Sequence, residues 1–372
     1  MTKSFASAFV ALMSLSLGTA ALHGAPAAPS ATAPAAATQS VSAADARLRY
    51  EGRFDFADRA APSFIWQGSR ISLDFTGETL AVLLESQTGE SHFDVTVDGR
   101  TFVASVPPGG HVRAEPPFPL GSGRHHLTLF KRSEASAGIA RFRGVELAAG
   151  AGVFAPPPPA YRLAMEFFGD SITVGACNED GDTDQWESRR THNNALSYGA
   201  LTAAAFSADY RNLAISGMGI VTGYVEVKAG EVWDRLYPEA KSPRADLAAW
   251  QPDVAFVNYG ENDDSFTRSQ HQPFPAAEFT RGYVSLVRHL RAAYPKTHLV
   301  LLRGGMFGGA KSDELRPAWE AAVRELEAGD PAIGHYVFQH WSSNHPRVAD
   351  DRAMADELIA WLKQQPFFAA YK

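Results

Sequence analysis

Four consecutive prolines, Pro156–Pro159, separate two stretches of chain with different hydrophobic periods. Neither a helix nor a strand runs through such a segment, because proline lacks an amide proton and fixes its own φ. Residues 151–162 therefore read as a linker, and each side is read by itself.

Before the linker, residues 46–150 carry short runs of alternating apolar and polar residues. They are Arg70–Gly77, Thr79–Ser86, His92–Gly99, Arg100–Val106, His125–Arg132 and Ala140–Leu147. Gly, Pro, Asp and Ser separate them, and Asp98-Gly99 between two runs is a hairpin signal. Many short strands at this spacing predict an antiparallel, jelly-roll-like β-sandwich.

After Ala164 the apolar runs become nearly continuous, as in strands buried on both faces. They are Ala164–Gly169, Tyr210–Ile215, Asp253–Gly260, His298–Gly305 and His335–Trp341. Helical patterns fall between and after them, at 193–207, 276–293, 313–328 and 347–364. The alternation predicts an α/β domain over 163–372, with a parallel sheet between two helical layers. Ligands of such sheets bind beyond the carboxyl ends of the strands.

The N-terminus has a different character. Residues 1–27 have a basic start at Lys3, an apolar run from Phe5 to Leu17 and a small-residue site at Ala25-Pro26-Ala27. That is the pattern of a secretory signal peptide; the run is short for a bilayer span. Residues 28–45 are Ala-, Pro- and Ser-rich and read as a tether. The expected location is outside the cytoplasm, periplasmic or extracellular, with no integral membrane contact. Formal net charge is −7, which weighs against a nucleic-acid partner. Cys177 is the single cysteine, so no intramolecular disulfide forms. Without a Cys/His zinc cluster, neither metal nor cofactor is expected.

The predicted strand ends carry the chemistry. Gly169-Asp170-Ser171 follows the first, Ser216-Gly217-Met218-Gly219 the second, Gly260-Glu261-Asn262-Asp263 the third and Ser342-Ser343-Asn344-His345-Pro346 the last. A serine hydroxyl needs a base to take its proton, and imidazole titrates near neutrality. The oxyanion of an acyl-transfer intermediate needs fixed donors, which the Ser171 and Gly217 amides and the Asn262 side chain would supply. Losing one such donor costs about 2.7–4 kcal/mol of transition-state stabilisation. Taken alone, Ser171 reads equally as a helix N-cap. His345 is preferred among the 12 histidines because it lies just past the last strand; His340 sits within that strand, and His125 and His126 read as surface residues of the β domain.

The four blocks, in this order, resemble the SGNH (GDSL-type) hydrolases: "GDS" at Ser171, "NLAISG" at Gly217, "GEND" at Asn262 and "NHP" at His345. Together with the preceding β-sandwich and "GDSITVGACNED", the chain resembles carbohydrate esterase family 2 from about residue 48 onward. The resemblance implies a flavodoxin-like three-layer α/β/α domain with five parallel strands, and removal of O-acetyl groups from xylan- or gluco/mannan-type sugars, including the 6-position. It also marks two departures. Ser342 stands where an orienting Asp is usual, so a backbone carbonyl near Trp341 or Ser342 is expected to hold the imidazole. Glu261 stands where Thr is more common. Asp263, Glu261, Tyr259, Trp341 and Trp186 are candidate substrate-binding residues. The expected partner is an acetylated carbohydrate. Other readings stay open: a lipase-like or thioesterase SGNH enzyme, a glycan-binding protein without activity, or an acetyl transferase.

Overall fold

The computed structural model describes residues 37–371. The signal-peptide segment 1–27 and the first half of the tether 28–45 lie outside those residues.

The N-terminal part contains β1 (Thr38–Val41), β2 (Arg49–Glu51), β3 (Phe54–Asp55), β4 (Ser63–Phe64), β5 (Arg70–Thr76), β6 (Leu80–Ser86), β7 (Ser91–Val97), β8 (Arg100–Val106), β9 (His111–Ala114), β10 (Arg124–Lys131), β11 (Ala140–Ala148) and β12 (Val153–Phe154). They form two antiparallel sheets, β3-β4-β11-β6-β9 with β1 beside β11, and β12-β5-β10-β7-β8 with β2 beside β5. Register aligns the inward residues. Leu127 pairs with both Leu73 and Val97, and Val145 pairs with Val82. All of them are buried in one core with Phe75 and Phe93. Each such side chain taken out of water contributes about 1.5–3 kcal/mol.

Both edges of this domain depart from the sequence reading. The tether assigned to 28–45 ends earlier, because Thr38–Val41 is a strand of the sandwich and Val41 and Ala43 are buried. Its polar, alanine-rich side chains hide this, since the pairing to β11 is made by backbone groups. The linker assigned to 151–162 likewise starts inside the sheet, with Val153 and Phe154 paired to Phe75 and Asp74. Arg49 then donates to the carbonyls of Pro156 and Pro157 at 2.6 and 2.5 Å, tying down the start of the proline run. His126 is exposed as expected, whereas His125 is buried against Asp98.

The second part contains five parallel strands, β13 (Leu163–Gly169), β14 (Ala208–Ala214), β15 (Val254–Asn258), β16 (His298–Gly305) and β17 (Ile333–Trp341), in the order β14-β13-β15-β16-β17. The helices are α1 (Ser171–Val174), α2 (Tyr198–Ala205), α3 (Ala229–Val232), α4 (Glu261–Ser269), α5 (Ala276–Ala293), α6 (Phe307–Lys311), α7 (Leu315–Gly329) and α8 (Val348–Leu362). Successive strand residues point to opposite faces. Phe167 stacks on Phe256 on the α2/α8 side, while Phe168 and Val257 join Phe279, Tyr283 and Trp319 on the α5/α7 side. Burial of both faces explains the continuous apolar runs. The strand order reverses between β13 and β15, the point where such sheets open a crevice.

The two parts share a core. Ile65 and Trp66 of the sandwich pack into the same cluster as Phe168 and Leu213. Nearby, Arg53 pairs with Glu166 at 3.1 Å, both side chains buried, and donates to the carbonyls of Trp233 and Arg235. Gln67 spans the same interface, donating to Asn212 Oδ1 at 2.6 Å and to the Ala214 carbonyl at 2.9 Å.

Candidate active site

β13 delivers Ser171. At Gly169 a Cβ would lie 2.1 Å from Thr173 Oγ1, so the turn closes only around glycine. Asp170 is the cap of α1, its Oδ1 accepting from the Ile172 amide at 3.1 Å. Ser171 is thus the first helical residue and not the cap, which leaves its hydroxyl free of that duty. Burial, with the nearby Glu261 charge, pushes the Asp170 carboxyl well above the usual carboxylate range; its structural role rests on the cap it forms.

β14 ends before Gly217, which adopts φ 82°, a left-handed conformation that glycine adopts without strain. The following loop is held by Asp263. Its carboxylate accepts from the amides of Ile220, Val221 and Thr222 at 2.8, 2.8 and 3.0 Å. Burial raises the Asp263 carboxyl to about 6, against the lowering effect of those three amides. Asn262, in the first turn of α4, donates from Nδ2 to the Met218 carbonyl at 3.2 Å. An amide nitrogen carries two protons; one goes to Met218, and the Asp170 carboxyl lies within reach of the same side chain.

β17 leads to His345, and here the structure corrects the sequence reading. The imidazole Nδ1 lies 2.6 Å from Asp184 Oδ2. Asp184 belongs to the segment between α1 and α2, 161 positions away from His345 in sequence. Ser342 instead donates its amide to the Gly305 carbonyl, so neither Ser342 nor a neighbouring carbonyl is the orienter. Arg347 clamps the arrangement, donating to Asp184 Oδ1 at 2.8 Å, the His345 carbonyl at 3.0 Å and the Gly181 carbonyl at 2.7 Å. Burial alone would raise the Asp184 carboxyl; the His345 hydrogen bond and the Arg347 guanidinium outweigh it and hold the group far below its usual range. An ionised Asp184 fixes the imidazole with Nδ1–H toward the carboxylate and Nε2 free to accept a proton. Trp186 covers the ring, with centroids 5.8 Å apart and planes 28° apart.

Ser171, Gly217, Asn262 and His345 line one cavity of 570 Å³. Trp186, Arg189, Tyr224, Glu261 and Met306 line it as well, and Ser136 comes from the sandwich. The other candidates fall elsewhere. Tyr259 is buried in the α5/α7-side core and cannot stack on a sugar. Trp341 lies off the cavity under Lys311, whose Nζ is 5.2 Å from the ring centroid. Asp263 is committed to its loop. Glu261 reaches the wall, but its oxygens accept from the Gly308 and Gly309 amides at 3.0 and 2.9 Å. His340 is structural, bonded to Asp350. Cys177 is buried, and burial pushes its thiol up. Its sulfur and donor atoms of Asp184 and His345 lie within 4.8 Å of one another, although Arg347 already neutralises that carboxylate. Sequence reasoning missed Asp184, Tyr224, Arg189 and Ser136. For Asp184 the only signal is the acidic run Glu179, Asp180, Asp182, Asp184 just after the nucleophile helix.

A serine hydroxyl, a carboxylate-bonded imidazole, a strand-end glycine and a carboxamide on one cavity are the groups that acyl transfer requires. Two family models match the chain: "Carbohydrate esterase 2 N-terminal" over residues 50–157 and "GDSL-like Lipase/Acylhydrolase family" over residues 167–359. The chain belongs to the GDSL-like lipase/acylhydrolase family, a family of carboxylic ester hydrolases, and has the two-part architecture of the family 2 carbohydrate esterases. It is 30% identical over 329 residues to the cellulase/esterase CelE of Acetivibrio thermocellus, covering 86% of this chain and 39% of that protein. Thus it spans well under half the length of that relative. It is 27% identical to an acetylxylan esterase / glucomannan deacetylase of Cellvibrio japonicus, covering 82% of this chain and 86% of the relative. The structure of a family two carbohydrate esterase from Clostridium thermocellum in complex with cellohexaose superposes with a TM-score of 0.77, at 28% identity, covering 86% of this chain and 98–99% of that one across its two forms.

Proposed function

We propose that this protein is a carbohydrate O-acetylesterase working through a Ser171–His345–Asp184 triad. The observation that carries the reading is the 2.6 Å His345–Asp184 contact on the cavity that also holds Ser171. His345 Nε2 takes the Ser171 proton as Oγ attacks the acetyl carbonyl. The oxyanion sits against the Ser171 and Gly217 amides and Asn262 Nδ2. The developing imidazolium is stabilised by Asp184 and returns its proton to the departing sugar alcohol. Water repeats the cycle on the acetyl-enzyme and releases acetate.

The carbohydrate part of the reading is supported by the relatives' substrates and by the aromatic groups at the cavity, Trp186 and the well-exposed Tyr224. Such faces stack on sugar rings and leave hydroxyls to polar neighbours. Residues 1–27 fit export of the enzyme, which comparison of the N-terminus of the exported product with the encoded chain would test.

Acetate release from acetylated glucomannan and acetylated xylan tests the reading. The intact enzyme should release acetate, and Ser171→Ala should abolish release while keeping its fold. Among nitrophenyl esters, acetyl should be preferred to octanoyl. Preference for octanoyl would move the chain to the lipase-like enzymes, and sugar binding without any ester cleavage would make it a glycan-binding protein.

A further inference from the structure

Glu134 comes from the β-sandwich, just after β10, and is fully buried at the junction with the catalytic domain. Its backbone is pinned from its own side. The buried Lys131 ammonium donates to the carbonyls of Ser133 and Glu134 at 2.8 and 3.1 Å, and the Ala135 amide donates to Gln67 Oε1 at 2.9 Å. Its carboxylate reaches only groups of the catalytic domain. Oε2 accepts from the Ser216 amide at 3.1 Å, and Oε1 from Ser216 Oγ at 2.9 Å. His192 Nδ1 and Arg189 lie 3.2 and 3.4 Å from Oε1. Burial alone would raise this carboxyl; the His192 hydrogen bond and the surrounding positive charge and amide hold it at about 2.

A buried charge is costly unless hydrogen bonds answer it. For joining two domains, apolar contacts such as those of Trp66 suffice, and they impose no direction. A carboxylate that takes both the amide and the hydroxyl of one residue does impose direction. That residue, Ser216, is bonded covalently to Gly217, which lines the cavity and whose amide the esterase reading assigns to the oxyanion. At Oε1 the same carboxylate also meets His192 and Arg189, both in contact with the ring of Trp186. Displacement of Ser216, and with it of the point from which the Ser216–Gly217 peptide starts, would break two hydrogen bonds to a fixed anion.

We propose that Glu134 is a positioning residue of the esterase: the sandwich domain sets the Gly217 amide of the oxyanion hole through Ser216. The inference rests on the esterase reading above. It makes the N-terminal domain part of the catalytic apparatus, acting on the transition state and not only on the shape of the cleft.

The test uses the full chain with 4-nitrophenyl acetate, measuring kcat, KM and thermal unfolding for Glu134→Gln, Ser216→Ala and the double variant. Misplacing one oxyanion donor should lower kcat of Glu134→Gln by roughly 30- to 300-fold, with KM within about threefold of the parent. Ser216→Ala keeps the amide contact and should lose about 3- to 10-fold in kcat, and the double variant should be no slower than Glu134→Gln by more than about twofold, because both act through one contact. A purely structural role would lower the unfolding temperature and leave kcat per folded molecule intact. Near-parental kcat in Glu134→Gln, or losses that multiply in the double variant, would overturn the inference. Should Glu134→Gln not fold, Ser216→Ala decides alone: a kcat loss at constant KM supports the proposal, and an unchanged kcat refutes it. An active parent with insensitive variants removes only this inference, whereas a parent inactive on acetyl esters removes the esterase reading and this inference with it.

Discussion

The two sides of the cavity are built differently. The side proposed to hold the oxyanion is largely buried and made from the ends of adjacent strands: Ser171 after β13, the half-buried Gly217 after β14 and Asn262 after β15. Its supports are backbone amides gathered by buried carboxylates, as at Asp263. The base side is partly exposed and made where two loops meet. His345 and Asp184 are joined by a hydrogen bond across 161 positions of sequence, with Arg347 paired to the same carboxylate as the clamp. One side is held by the sheet, the other by charge, and the two should fail in different ways.

The largest effect is expected on the base side. Asp184→Asn leaves the packing intact but removes the charge and the fixed tautomer, and should lower kcat by about 10²- to 10⁴-fold. Ser342→Ala, at the position where an orienting residue would be expected, should stay within about twofold of the parent. Equal losses in the two variants would erase the distinction between a loop-borne acid and a strand-end one. Steady-state kinetics on an acetyl ester measure both.

On the oxyanion side, Asn262→Ala removes one donor of three and should lower kcat by about 10²-fold, at the lower end of what such donors contribute, because two amides remain. KM should change little, since the bond strengthens only as the oxyanion forms. A change confined to KM would place Asn262 in ground-state binding.

A smaller and opposite response to pH should separate the two sides further. The Asp184 carboxyl, despite burial that would raise it, is held below its unfolded value near 3.8. Its contribution to stability is full above that value and is lost as pH falls through the lower folded value. Asp263 is raised by burial from 3.8 to about 6. Its contribution is full below 3.8 and is lost as pH rises through about 6. Urea unfolding of the parent, Asp184→Asn and Asp263→Asn between about pH 3 and pH 7 measures both slopes; the parent should gain on Asp184→Asn, and lose ground to Asp263→Asn, as pH rises.

The same division explains what could be read from sequence. Ser171, Gly217, Asn262 and His345 are legible because each directly follows an apolar run, and the parallel sheet brings all such ends to one rim. The five strands are legible because burial on both faces leaves no polar interruption. Helix α4 escapes that logic, since its first turn, Glu261-Asn262-Asp263-Asp264, is buried yet wholly polar. The two- to four-residue strands β1, β2, β3, β4, β9 and β12 are too short to show a period. Asp184 and Glu134 are illegible for another reason. Each acts on a residue distant in sequence, and nothing local distinguishes them from other acidic loop residues. Tyr259 and Trp341 show the converse error: aromatic side chains beside strand ends, one packed in the core and the other set against Lys311 off the cavity.

Ser171 is expected to carry the acetyl group between substrate and water. Rapid acid quench of Asp184→Asn during turnover of an acetyl ester, followed by mass spectrometry of the peptides, tests it most directly. A single acetyl group on the peptide containing Ser171, absent in Ser171→Ala, is the predicted result. Continued turnover of Ser171→Ala, or acetylation of any other residue in its place, would contradict the account.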